Sequence, residues 1–279
     1  MTTRAPTLAS LVLLGACAAA PPAPPAPRAL AYGIPSPAVV DYVVGDSARA
    51  EIMAAGQRFA LNVTVAERWR MEFAAAAGGT RVTATLTDLD ARLTNPLSAP
   101  QTADESAVSG PVVFTLDGRG RSTIEALPTV TPAVAQFLSG SGVAQTFFPR
   151  LPGRTVAAGD SWTDTVAYSA TEGDATIDVS SVTTYTVVGD SLADGASYLL
   201  IRSEGTTEQS SEGTIAGTDF NQQVSGITSG HVLWDRAGGV MHSVELRSDL
   251  SGAMAASVAP VALDVRVRSV VRTRRAGPP

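Results

Sequence analysis

Over the thirteen residues from Leu61 to Phe73 the chain alternates in character at every step. Leu61, Val63, Val65, Glu67, Trp69, Met71 and Phe73 hold the odd positions, and Asn62, Thr64, Ala66, Arg68, Arg70 and Glu72 the even ones. Side chains of a strand point alternately to its two sides, so this pattern predicts a long strand with one buried face. The alternation returns at Val240, His242, Val244 and Leu246, with Met241, Ser243, Glu245 and Arg247 between. It returns again at Val261, Leu263, Val265 and Val267, against Asp264, Arg266 and Arg268. Gly-Asp-Ser, Gly-Gly and Asp-Gly clusters break the runs at hairpin spacing, and the Gly-Asp-Ser triplets starting at 45, 159 and 189 read as turns. The expected fold is mainly β, built of antiparallel hairpins.

One segment departs from the pattern. Thr131 as N-cap, Pro132 at the first helical position, apolar Val134, Phe137 and Leu138, then Gly140 predict a single short helix. Pro149 and Pro152 follow it, so 131–155 reads as a helical connector between two β units, 41–130 and 156–275. The units resemble one another. Residues 109–125 lay without gaps on 229–245, matching Ser109 with Ser229, Phe114 with Trp234, Gly118 with Gly238 and Glu125 with Glu245. The strand at 61–73 likewise answers 177–187. The arrangement expected is two repeated β units within one domain.

The N-terminus has a different chemistry. Arg4 precedes an apolar run, Leu8 to Leu14, which is far shorter than the roughly 20 residues of a membrane-spanning helix but suits a signal-peptide core. Leu14-Gly15-Ala16-Cys17 then resembles the lipobox of bacterial lipoproteins, and Cys17 is the only Cys in the chain. That resemblance implies a signal peptide over 1–16 and lipid attachment at Cys17, with a palmitate-type acyl anchor in the membrane. Ala18, a residue other than Asp after the Cys, implies by the same resemblance the outer membrane, facing the periplasm. Several acyl chains make a firm anchor where one is marginal. Between Ala18 and Pro37 lie seven of the 18 prolines, so 17–40 reads as lipidated Cys plus an extended Pro/Ala-rich spacer.

The body carries a second resemblance. Phe148-Pro-Arg-Leu-Pro152 followed by Val156-Ala-Ala-Gly-Asp-Ser-Trp162 resembles a motif of uncharacterised bacterial lipoproteins of the domain-of-unknown-function kind. It implies a strongly curved antiparallel sheet or half-open barrel around a hydrophobic groove, similar to the lipoprotein carriers LolA and LolB, and it implies no catalytic residue. In the plainer reading, Gly159 to Trp162 is a turn into a strand with Trp162 as a buried anchor.

Chemistry-bearing residues are sparse. A net charge of −6 argues against nucleic acid, whose phosphates need a basic face. Thr186 to Gly195 resembles the first block of GDSL esterases, with Ser191 as nucleophile. That family's Asp-x-x-His block is missing, since Thr228 and Gly239 stand three residues before His231 and His242. His242 falls on an apolar parity and reads as a core histidine. Asp88 and Asp90 flank Leu89 but supply too few oxygens for calcium. Asn62-Val-Thr64 matters as a glycosylation acceptor only in a eukaryote. Arg272, Arg274 and Arg275 read as a solvated basic tail. No cofactor and no metal site is expected.

Two readings follow, neither enzymatic. In the first, a lipid-anchored envelope protein holds a lipid-like or other apolar ligand on the inside of the sheet. In the second, a structural or assembly module has a packed interior. An esterase using Ser191 is a remote third. The inward positions Leu61, Val63, Trp69, Phe73, Val179, Tyr185 and Trp234 are mixed in size and leave the first two readings open. The anchor has its own test: Cys17→Ala leaves an unlipidated precursor, and labelling with a palmitate analogue loses its band. A mutant that is still labelled refutes the lipoprotein reading.

Overall fold

Long runs of alternating, β-branched residues with glycines at their ends build hairpins, and hairpins account for nearly all of the molecule. The computed structural model describes residues 29–277 except 55, 97–98, 136, 173–174, 216–217 and 258–261. Cys17 and the signal segment lie outside the described residues. The first half holds β1 (Val39–Ala54), β2 (Gln57–Ala76), β3 (Gly79–Thr94), β4 (Gln101–Asp104), β5 (Val108–Ser109), β6 (Val112–Leu116), β7 (Ser122–Ala126) and β8 (Thr129–Val130). Two short helices follow, α1 (Pro132–Ala135) and α2 (Gly140–Thr146). The second half holds β9 (Ser161–Glu172), β10 (Ala175–Ala193), β11 (Ala196–Ile215), β12 (Thr218–Asp235), β13 (Val240–Ala256) and β14 (Leu263–Arg275).

The main sheet runs β7-β6-β3-β2-β1-β14-β13-β12-β11-β10-β9, with β4 added beside β3, while β5 and β8 pair separately. Each half of the chain therefore forms one half of the sheet, and the halves join where β1 pairs antiparallel with β14. The ladder stays open between its edges, β7 and β9. The sheet nevertheless curls until those edges face each other. Arg119 and Arg121, in the β6–β7 turn, reach Asp164 of β9 at 3.1 and 3.2 Å, and the Asp164 side chain is only 1% exposed. Packing of α2 against β6, β7 and β9 bridges the same gap.

The curl needs room on the inner face. A Cβ on Gly226 would collide with the carbonyl oxygen of Asp249 on the next strand, and one on Gly252 with that of Gln223. Glycine is the residue that permits such close approach of backbones.

One end of the trough is filled. Trp69, Tyr42, Phe114, Met71 and Leu151 are among its fully buried side chains. Phe148 of the connector lies edge-on to Tyr32 and Phe73, and Phe147 to Tyr42, all at ring separations of 5.2–6.0 Å. The Tyr42 hydroxyl donates to the Met241 carbonyl at 2.9 Å, so this buried phenol is satisfied.

Four details differ from the sequence expectations. Two short helices replace the single one over 131–139. Gly140-Ser-Gly begins α2 with poor helix formers, and Ser139 starts it as N-cap by accepting a hydrogen bond from Gly142 N at 2.7 Å. The expected spacer packs from Leu30 onward, with Leu30 and Tyr32 buried and Tyr32 N donating to Gly118 O at 2.9 Å. The arginines at 272, 274 and 275 belong to β14 and pair with Glu245, Asp194 and Asp235. Of the three Gly-Asp-Ser triplets only 159–161 makes a turn into a strand. The first runs through β1, and the third sits at a bulge of β10 next to Val187.

Asp164→Ala leaves Arg119 and Arg121 without their shared partner and unties the two edges. We expect a loss of about 2 kcal/mol in urea unfolding, from the charged hydrogen bonds removed, against under about 1 kcal/mol for Arg119→Ala, whose half-exposed side chain leaves Arg121 in place. Equal small losses for both would remove Asp164 as the tie.

Candidate functional site

Register decides which side chains share the inner face, because directly paired residues point the same way. Val63 pairs with Ala48 of β1, Leu61 with Ala50 and Phe59 with Ile52. On β14 the same row continues at Ser269, Val267 and Val265, and on β13 at Ser248, Leu250 and Gly252. All seven inward positions expected from the sequence lie on this face. Trp69, Phe73, Tyr185 and Trp234 are buried at the filled end, while Leu61, Val63 and Val179 are only half-buried further along.

Two separate apolar clusters occupy the trough. The larger surrounds the connector's aromatics; the smaller consists of Val224, Leu250 and Val265 with Ile52, Met254 and Val267 packed against them. Between them runs a band of hydroxyls. Ser181, Thr207, Thr228 and Ser248 form a hydrogen-bonded row across four strands, with steps of 2.9, 3.1 and 3.2 Å. Ser269 extends the row in register on β14.

At the far end of this band sit two carboxyls. Asp46 points inward from β1 opposite Val65 and Val271, and Glu67 from β2 opposite Val44 and Leu89. The Trp69 indole donates to Glu67 Oε2. Asp46 Oδ1 is buried with no hydrogen-bond partner. Burial pushes the Glu67 carboxyl up to about 7, the Trp69 bond opposing and the charge of Asp46 adding to the rise. Burial also raises Asp46, against a hydrogen bond from the backbone of Ser47. Glu67 was visible in the sequence as the one acid on the apolar parity of its strand. Asp46 was not, because its triplet reads as a turn.

The outer face is the reverse in character. Arg49, Arg68, Arg70, Arg266, Arg268 and Arg272 project from it, most of them paired with Asp or Glu across or along strands. A sheet that met lipid with this face would need an apolar band there. A hollow of about 760 Å³ on this side is lined by Tyr198, His242, Asp194 and the three C-terminal arginines. Those arginines are spent on carboxylates, at 2.9 Å to Glu245, 2.6 Å to Asp194 and 3.0 Å to Asp235.

His242 is buried as expected but not among the inner core. A bulge beside Trp234 puts Met241 inward in its place. The imidazole stacks on Tyr198 at 4.1 Å, with Nε2 3.4 Å from Asp194 and Nδ1 buried without a partner. Its desolvation lowers its pKa, as does the nearby Arg275. Ser191 pairs in register with Tyr198, and neither nitrogen of His242 bonds to it. His231 is exposed on β12. Asp88 and Asp90 stand on the outer face opposite Arg68 and Ala66.

No family model matches this sequence, and no curated protein does either. Among solved structures, lipovitellin, in a study of lipid–protein interactions, is similar over 86% of this chain at 14% identity and a TM-score of 0.45. This chain spans 25% of the lipovitellin chain. The β domain of the Bordetella autotransporter BrkA follows at 13% identity and a TM-score of 0.26, with 86% of this chain and 99% of that one covered. Pseudomonas aeruginosa OccK2 with glucuronate gives 9% and 0.25, with coverage of 88% and 100%.

The raised Glu67 carboxyl has a measurable consequence. Below the unfolded carboxyl's pKa the group is protonated in both states; as pH rises from there to about 7 the unfolded chain ionises while the folded state keeps its proton, so stability falls across that window and levels off above it. Glu67→Gln is therefore expected to match the parent at about pH 4, below the unfolded carboxyl's pKa, and exceed it at about pH 8, by no more than about 3 kcal/mol. Chemical unfolding at the two pH values reads this, and a variant no more stable at pH 8 refutes it.

Proposed function

We propose that this protein is anchored in the bacterial envelope through lipidated Cys17, on the periplasmic side of the outer membrane, and holds one acyl or alkyl chain in the open part of its trough. It binds its ligand and does no chemistry on it. The observation that carries this reading is the second apolar cluster. Its flanking wall, including Leu61, Val179 and Val267, is only half-buried. From Ser269 to Leu263 that wall runs roughly 20 Å along the strand, a length suited to a single chain. Apolar surface inside a charged outer face is the arrangement of a ligand pocket, with few polar groups to orient what enters.

The test uses the Cys17→Ala protein, which has no acyl chains of its own, and the neutral dye N-phenyl-1-naphthylamine. Saturable fluorescence enhancement is expected. Leu61→Asp on one wall and Val179→Asp on the other should each weaken the dye by about tenfold, with circular dichroism checking that both variants fold. If the dye finds no saturable site, side chains fill the trough, and the structural-module reading replaces this one.

A further inference from the structure

The trough offers an incoming chain more than apolar wall, and its polar groups are placed unevenly. The hydroxyl row spans β10 to β14 at the boundary between the packed end and the open part. Hydroxyls both donate and accept, so the row welcomes any polar group without choosing its charge. At its β1–β2 end stand two acceptors, Asp46 and Glu67, diagonal neighbours on adjacent strands. Their partners in register are all apolar: Val65, Val271, Val44 and Leu89. The guanidinium groups of this region, from Arg49, Arg68, Arg70 and Arg272, project from the opposite face of the sheet. Asp46 Oδ1 is thus a buried acceptor lacking a donor, a costly state unless a bound group supplies one.

We propose that the trough takes a single-chain amphiphile with a cationic, hydrogen-bond-donating head of the alkylammonium class, seated against Asp46 and Glu67, its chain lying along the open wall. This deepens the reading above and rests on it. The head donates to the unpartnered Asp46 oxygen and offsets the negative charge of the pair, while its remaining N–H groups reach the hydroxyl row. A carboxylate head has no proton to give and meets two acids. A neutral alcohol has one donor and no charge. Charge complementarity therefore ranks the three heads: amine first, alcohol second, carboxylate last.

Displacement of N-phenyl-1-naphthylamine from the Cys17→Ala protein by dodecylamine, dodecanol and laurate, all sharing one chain, tests the ranking. Dodecylamine is expected to displace the dye at a concentration about tenfold below that of laurate. In the Asp46→Asn, Glu67→Gln double variant the preference should vanish, with dodecanol unchanged. Both substitutions are near-isosteric and remove a buried charge, so the variant is expected to fold, and its circular dichroism checks this. Laurate equal to dodecylamine, or a preference that survives the double substitution, overturns the inference and leaves the groove standing. A dye that never saturates overturns the groove reading and this inference together.

Discussion

The Asp164 carboxylate, with its side chain 1% exposed, accepts from Arg119 and Arg121 across the gap between the first and last strands of the ladder. The rest of the architecture depends on this meeting. An eleven-membered ladder with one apolar face and two free edges has two ways to hide that face, namely closing its hydrogen bonds into a barrel or curling and tying its edges by side chains. This chain takes the second way. The connector then has a fixed space to fill, between β6–β7 on one side and β9 on the other, and it fills it with Phe147, Phe148 and Leu151. Arg150 sits in the same place, 4% exposed, with Nε and Nη1 unpartnered and the Asp164 charge acting on it. Breaking the tie would therefore loosen the plug as well as the seam.

Filling from one end explains why the trough is divided. The connector's aromatics reach only as far as the row of hydroxyls. Beyond it no helix among the described residues covers the strands, and the second cluster is what their inward side chains make by packing against one another. Sheet curvature supplies part of that packing. Gly226 and Gly252 leave no room for a side chain beside the neighbouring strand, and Val224 and Leu250, their partners in register, are almost fully buried. Along β2 and β10, by contrast, Leu61, Val63 and Val179 remain half-buried.

Much of this was legible in the sequence, because period-two alternation reports which face is buried and needs no tertiary knowledge. The strand through 61–73 and the inward set from Leu61 to Trp234 follow from it, while the curvature of the sheet was implied by the resemblance of the motif at 148–162. The misreadings have distinct causes. A bulge shifts parity by one residue, so His242 left the inner face and Met241 took its place. A strand passes through Gly45-Asp46-Ser47 because β2 and β14 pair with it on both sides, and pairing partners far along the chain are invisible to local turn propensity. The arginines of β14 look like a free tail until the strand order sets Glu245, Asp194 and Asp235 beside them. Helix α2 owes its existence to a cap and to packing against three strands, neither of which its glycine-rich composition discloses.

Asp46 and Glu67 stand out against that background because they contradict the pattern around them. Every other position in their register rows is apolar or a small hydroxyl, and either acid could be replaced by valine or threonine with a gain in burial. The surface carboxylates show the usual arrangement: Glu245 and Asp249 are each held below the ordinary range by arginine hydrogen bonds on the outer face. The inner pair has no such support. Glu67 leans on one indole, Asp46 on a backbone N–H, and both carboxyls are raised by burial. Local features that work against stability while the rest of a chain is consistent are where function concentrates. Here the two acids lie where the packed interior ends and the uncovered apolar wall begins, which is the place a bound chain would need its polar end recognised.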